Sequence, residues 1–240
     1  MMEAKSRIIV ALDVDSLDRA RTLVESLAPH VGCFKVGLEL LTAVGGPMVV
    51  QLVHALGGRV FYDAKFNDIP NTVADAAKAA AGLKVKMFSV HASMGIEAMR
   101  AAVDNRGHSF VLAVTVLTSL DENDSHLIFG SPSKAKVLQL ARAAQLARCD
   151  GVICSPQELE LLGKQKELRG LLRITPGVRP KWASADDQKR IMTPAEAIKA
   201  GASALVIGRP ITKPPDGMTP VEAVKRITDE IAEATEGESA

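Results

Sequence analysis

The sequence predicts an α/β fold, a single-domain (β/α)8 TIM barrel over residues 1–240, on three observations. Eight short runs rich in β-branched residues recur along the chain. Segments with apolar residues at helical spacing separate them, as in LDRARTLVESL (17–27) and VLQLARAAQLA (137–147). The length, 240 residues, is that of such a barrel, for which roughly 250 is typical. A doubly wound open sheet is the competing arrangement, and it favours a glycine-rich first turn. The first turn here, ALDVDSLD (11–18), contains no glycine.

The strand runs follow in order. RIIVALDV (7–14) ends in acids, with Asp13 at its tip. CFKVGL (33–38) carries Lys35, and RVFYDAK (59–65) ends on Asp63 and Lys65. MFSVHAS (87–93) holds His91, and FVLAVTVL (110–117) runs into Thr118 and Ser119. GVICS (151–155), LRITPG (172–177) and ALVIGR (204–209) complete the set, with Arg179 after the seventh and Arg209 closing the eighth.

Helix starts are marked as clearly. Ser155-Pro156 precedes Glu158, and Thr193-Pro194 precedes Glu196; each offers a capping hydroxyl, an early proline and an acid three residues on. Asp13-x-Asp15 resembles half a metal site, but Asp15 reads equally well as another cap, with Asp18 at its third position. Gly201 stands where a helix C-terminal cap belongs. SLDEND (119–124) reads as loop, and about 234–240 as a frayed acidic tail.

Composition narrows the function. Lys plus Arg is 29 and Asp plus Glu is 28, a net charge of +1, with one Trp and one Tyr. Neither an electrostatic footprint nor a stacking platform for nucleic acid is present. No run approaches the ~20 apolar residues of a membrane span, and MMEAKSRIIVALDVD is a poor signal peptide. Three cysteines with no C-x-x-C pair give neither a disulfide framework nor a zinc site. A reduced, cytoplasmic setting is expected.

Charges gather at the run ends, where barrels build their active sites. Alternation puts Phe61, Asp63 and Lys65 on one strand face and Val60, Tyr62 and Ala64 on the other. Lys35 points into the same space from the neighbouring strand, and Asp68 follows on the loop. A salt-bridge network could serve structure alone. Removing several charges from water costs several kcal/mol each, however, which favours a site that uses them. Flanking carboxylates oppose the loss of a buried lysine's proton, so Lys65 reads as a general acid. His91 reads as a hydrogen-bonded structural residue. TPGVRP (175–180) and IGRP (207–210) place Gly177, Arg179, Gly208 and Arg209 after the last two strands, where barrels often hold phosphate. The polar stretch 179–190, with Gln188, reads as a lid.

At these motifs the chain resembles the orotidine 5′-phosphate decarboxylases, in their bacterial form. ALD (11–13), FKVG (34–37), DAKFNDIPNT (63–72), VHAS (90–93), VTVLTS (114–119), TPGVR (175–179) and IGRPI (207–211) carry the likeness across nearly the whole chain. The resemblance implies a pyrimidine-biosynthetic lyase that works on a nucleoside monophosphate with no cofactor and no metal. Lys65 would donate the proton, Asp63 would face the substrate carboxylate, and Lys35 and Asp13 would hold the ribose. Thr118, beside Ser119, and Pro176 would border the pyrimidine. Arg179, Gln188, Gly208 and Arg209 would hold the phosphate. Asp68 and Thr72 would enter the other subunit's site of a homodimer. Two alternatives are a metal-dependent keto-sugar-phosphate lyase of the same barrel group and a catalytically silent nucleotide-binding barrel. The first is expected to continue D-x-K-x-x-D with a D-A-G-like segment, where this chain has DIPNT; the second could dispense with Lys65.

Overall fold

Parallel pairing of each strand with the next, closed by Ile8 against Leu205, makes a complete barrel. The computed structural model describes residues 3–183 and 192–236. Its strands are β1 (Ile8–Ala11), β2 (Cys33–Val36), β3 (Val60–Phe66), β4 (Met87–His91), β5 (Phe110–Val114), β6 (Gly151–Ile153), β7 (Leu172–Pro176) and β8 (Ala204–Ile207). The helices that cover them begin with α1 (Leu17–Leu27), α2 (Leu38–Val44), α3 (Gly46–Ala55), α4 (Pro70–Gly82), α5 (Ile96–Asp104) and α6 (Glu122–Phe129). Then follow α7 (Ser133–Leu146), α8 (Leu159–Gly163), α9 (Pro194–Lys199), α10 (Arg209–Thr212) and α11 (Pro220–Glu236). Among the described residues no single helix is long and apolar enough to cross a membrane.

All eight expected runs are strands, but most stop short of their expected C-terminal ends. At that rim the chain peels away into the βα loops, so polar residues such as Asp13 and Thr118 lie just past the ladder. Two layers of apolar side chains hold the barrel. Strand residues facing outward, such as Val10, Phe34 and Phe88, pack under the helices with Val24, Leu40 and Ile227. Inward residues fill the lumen: Ile9, Ala11, Cys33, Phe61, Met87, Leu112, Ile174, Ala204 and Val206. Each fully buried large side chain in these layers contributes about 1.5–3 kcal/mol.

The inward parity continues past that apolar layer. Two residues beyond Ala11, Cys33, Phe61 and Met87 come Asp13, Lys35, Asp63 and Ser89. The packed lumen is therefore the floor on which the polar site stands.

Local signals explain several helix starts. Ser155 and Thr193 each form a reciprocal capping box with Glu158 and Glu196, as expected, worth about 1 kcal/mol per cap. Gly201, at φ +101°, follows the end of α9. Three expectations are corrected. Ser16, not Asp15, is the N-cap of α1, and Asp15 instead pairs with Arg19 one turn on, 3.1 Å away. The SLDEND segment is not all loop: Asp121 and Asp124 form a capping box that starts α6. The C-terminal helix runs through Glu236 and buries Ala234, so residues 234–236 are helix and not frayed tail. Apolar spacing at Val224, Ile227, Ile231 and Ala234 draws that last turn onto the core.

Candidate active site

β3 is the strand that organises the site. Its N-terminal half pairs regularly, Lys35 with Phe61 and Phe61 with Met87. Between Tyr62 and Phe66 the register against β4 shifts. Inside that irregularity Lys65 takes φ +53°, a left-handed conformation that a residue with a Cβ adopts at a cost of order 1–3 kcal/mol. Its backbone N–H donates to the Ser89 hydroxyl at 2.9 Å. Lys65 thus reaches the cavity as alternation expected, but by a kinked backbone.

Four charges form a chain at the barrel mouth. Lys65 Nζ lies 2.8 Å from Asp63 Oδ2, and Lys35 Nζ lies 3.6 Å from the same oxygen. Lys35 Nζ also donates to Asp13 Oδ1 at 3.0 Å. The second oxygen of Asp63 accepts the Ser89 hydroxyl at 2.8 Å. Asp63 is the most enclosed of the four, its side chain 7% exposed against 58% for Asp13. Burial is the largest single influence on the Asp63 carboxyl and pushes its pKa up. The Lys35 and Lys65 ammonium groups, with the bonds from Lys65 and Ser89, outweigh it and hold the pKa below the usual carboxylate value. His91, half-buried at the end of β4, has its pKa lowered by burial first and by Lys65 next, against the pull of Asp63.

A cavity of about 200 Å³ opens over these charges. Lys35, Asp63 and Lys65 line one side, and Phe61 and Val206 its base. Val114, Val116, Leu117, Ile153, Cys154, Thr118 and Pro176 supply the remaining, largely apolar wall. Thr118 is on the cavity, whereas Ser119 is exposed and outside it. The three thiols, Cys33, Cys149 and Cys154, are free and buried, and burial pushes each up to about 12.

A second depression, about 480 Å³, lies at the start of α10, lined by Ala183, Arg209, Pro210, Lys213, Pro214, Pro215 and Asp216. Gly208 precedes it, and a Cβ there would sit 3.6 Å from Asp13 Oδ2, which ties this end to the charged chain. Gly177, at φ +79°, turns the chain after β7, where a side chain would be strained. Arg179 follows, 7% exposed, with its backbone N–H bonded to Met192. Gln188 and most of the expected lid lie outside the described residues.

The remaining two expected residues stand apart. Asp68 is exposed, and its carboxylate accepts the backbone N–H of Ile69 at 2.7 Å. Thr72, on the first turn of α4, is also exposed. Among the described residues, Asp68 forms no ion pair with Lys65 of its own chain. Among them, too, no cluster of three or more His, Cys, Asp or Glu residues could hold a metal ion.

Sequence reasoning passed over Ser89 and the apolar wall. Ser89 is fully buried, and its signal was a hydroxyl at an inward position in the middle of MFSVH, between Phe88 and Val90. His91 was expected to be hydrogen-bonded, but among the described residues its side chain makes no hydrogen bond and lies instead in the fields of Lys65 and Asp63.

Known proteins share this architecture and sequence. The family model described as "Orotidine 5'-phosphate decarboxylase / HUMPS family" matches residues 6–227. The chain is 47% identical to an orotidine 5'-phosphate decarboxylase of Geotalea uraniireducens over 98% of each sequence. It is 48% identical to one from Moorella thermoacetica, covering 96% of this chain and 94% of that one. The crystal structure of an orotidine 5'-phosphate decarboxylase from Lactobacillus acidophilus superposes with a TM-score of 0.80 at 35% identity, over 93% of this chain and 98% of that one. With its closed barrel and its paired lysines and aspartates at the strand ends, the chain belongs to the orotidine 5'-phosphate decarboxylase / HUMPS family.

Proposed function

We propose that this protein decarboxylates orotidine 5′-monophosphate to uridine 5′-monophosphate and carbon dioxide, the last step in making that nucleotide. The observation that carries the reading is the Lys65–Asp63 pair, 2.8 Å apart, beside an apolar cavity whose wall includes Thr118 and Pro176. The bond from ring carbon 6 to the carboxylate breaks, and its electron pair stays on carbon 6. The Lys65 ammonium stabilises that developing charge and then transfers a proton to it; solvent later restores the lysine. Asp63 keeps Lys65 oriented and lies against the departing carboxylate, a like-charge contact that ends when carbon dioxide leaves. Lys35 and Asp13, joined at 3.0 Å, bind the ribose hydroxyls.

Phosphate is held at the far end by Gly208, Arg209 and Arg179, together with Gln188. Binding energy from that remote group organises the reacting end. The reaction runs on the chain's own residues, with neither cofactor nor metal.

The working form in this reading is a cytoplasmic homodimer. The outward position of Asp68 and Thr72, next to an exposed apolar Ile69, suits entry into a partner's cavity. Three buried reduced thiols suit a reducing compartment.

The test is incubation of the purified protein with orotidine 5′-monophosphate, followed by ultraviolet absorbance and by identification of the product. Stoichiometric uridine 5′-monophosphate is expected. An unchanged spectrum over hours, with folded protein, would overturn the assignment.

A further inference from the structure

A single hydroxyl touches both halves of the reacting pair. Ser89 sits mid-strand in β4, fully buried, where neither solvent nor surface function accounts for a polar group. Its hydroxyl donates to Asp63 Oδ1 at 2.8 Å and accepts the Lys65 backbone N–H at 2.9 Å. The oxygen of Asp63 that Ser89 does not touch is the one shared by Lys35 and Lys65. The N–H that it does take belongs to the residue with φ +53°, at the break in the β3–β4 register. Such a backbone position needs an acceptor that the interrupted ladder no longer guarantees.

We infer that Ser89 is a positioning residue for the proton transfer: it fixes the Asp63 carboxylate plane and the kinked backbone of Lys65 in one contact. The inference rests on the assignment of Lys65 and Asp63 given above. Both bonds act on the same ammonium. The carboxylate bond decides which Asp63 oxygen faces Lys65 and Lys35, and the backbone bond decides where the lysine leaves the strand. A serine suits the task because one small hydroxyl supplies a donor and an acceptor together. Ser89 does not itself line the cavity, so it acts only through Asp63 and Lys65, which do.

Replacing the hydroxyl leaves a carboxylate oxygen and an N–H without their partner. A hydrogen bond to a charged group is worth enough for a loss of about 10- to 100-fold in kcat. The phosphate end is untouched and Lys35 keeps its 3.0 Å bond to Asp13, so KM and the affinity for uridine 5′-monophosphate should stay within about 3-fold.

The experiment is steady-state kinetics, nucleotide titration and thermal unfolding of Ser89→Ala, with Lys65→Ala as the control. If Ser89→Ala fails to fold, Ser89→Cys, which keeps a weak donor, takes its place with the same expectation at the lower end of the range. A fall confined to kcat supports the inference. A kcat within about 3-fold of wild type overturns it, as does a fall in kcat matched by an equal loss of nucleotide affinity, which would mark general disruption of the barrel mouth. Near-normal turnover by Lys65→Ala would instead sink the underlying assignment, whatever Ser89→Ala does.

Discussion

Lys65 Nζ and Asp63 Oδ2 stand 2.8 Å apart although their residues are neighbours but one on the same strand. Two side chains on one face of a regular strand run roughly parallel. The kink at Lys65 lets the ammonium come back onto the carboxylate, while Lys35 approaches the same oxygen from β2. One buried carboxylate thus faces two lysines, and Asp13 closes the chain on the solvent side. The two positive and two negative charges balance, which keeps the cluster from imposing the full cost of unpaired buried ions.

Gly37 offers a direct probe of Lys35. A Cβ there would lie 2.7 Å from Lys35 Nζ and 3.5 Å from Asp13 Oδ1. The backbone, at φ −98° and ψ −178°, accepts any residue, so Gly37→Ala adds no strain of its own. The ammonium is the flexible partner and should yield. Thermal stability is expected to change by no more than a few degrees, corresponding to about 1 kcal/mol. The kcat/KM value is expected to fall about ten-fold, or ~1.4 kcal/mol, mostly through KM. Unchanged kinetics would place Lys35 outside the substrate site.

Asp63 also predicts how stability depends on pH. Its folded pKa lies below the unfolded reference of 3.8. The unfolded chain therefore binds a proton first as pH falls. The Asp63 contribution is fully present above the unfolded value and is lost as pH drops through the folded one. Calorimetry of wild type and Asp63→Asn between about pH 6 and pH 3 should show the melting-temperature gap narrow at the acid end. A gap that widened there would contradict the pairing of Asp63 with the two lysines.

The barrel was legible because its signals are local and repeated. Each strand run has β-branched residues in a short block, and Ser155 and Thr193 carry complete capping boxes. The charged cluster was legible because Lys35, Asp63 and Lys65 sit at strand ends with the right parity. Ser89 was not, since a serine inside MFSVH differs little from any small core residue until β3 is laid beside it. The kink at Lys65 was hidden for a similar reason: no glycine or asparagine announces it, and the bond from β4 sustains it. Competition between adjacent polar residues misplaced the α1 cap, because Asp15 and Ser16 offer the same chemistry one position apart. The resemblance supplied the roles of Asp68 and Thr72, which no periodicity within one chain could reveal.

Shared sites can be tested by mixing two damaged proteins. Lys65→Ala and Asp68→Ala homodimers should each be nearly inactive. After subunit exchange, a hybrid dimer has one site lacking both groups and one site with neither change. Random exchange makes about half the dimers hybrid, because a two-fold dimer pairs equivalent surfaces. About a quarter of wild-type activity per total site should therefore return. No recovery, with exchange verified by native mass spectrometry, would mean that Asp68 serves its own chain.

The most direct test of the account compares turnover of orotidine 5′-monophosphate by wild type, Lys65→Ala and Arg209→Ala, all with chelator present. Wild type should convert the substrate undiminished. Lys65→Ala should lose essentially all turnover yet bind uridine 5′-monophosphate almost as well, while Arg209→Ala should chiefly weaken binding, by about 1.5–3 kcal/mol for a charge-assisted contact. Contradiction would come from wild-type activity that chelator abolishes and magnesium restores. It would come equally from Lys65→Ala retaining more than about a tenth of wild-type turnover, a loss below ~1.4 kcal/mol.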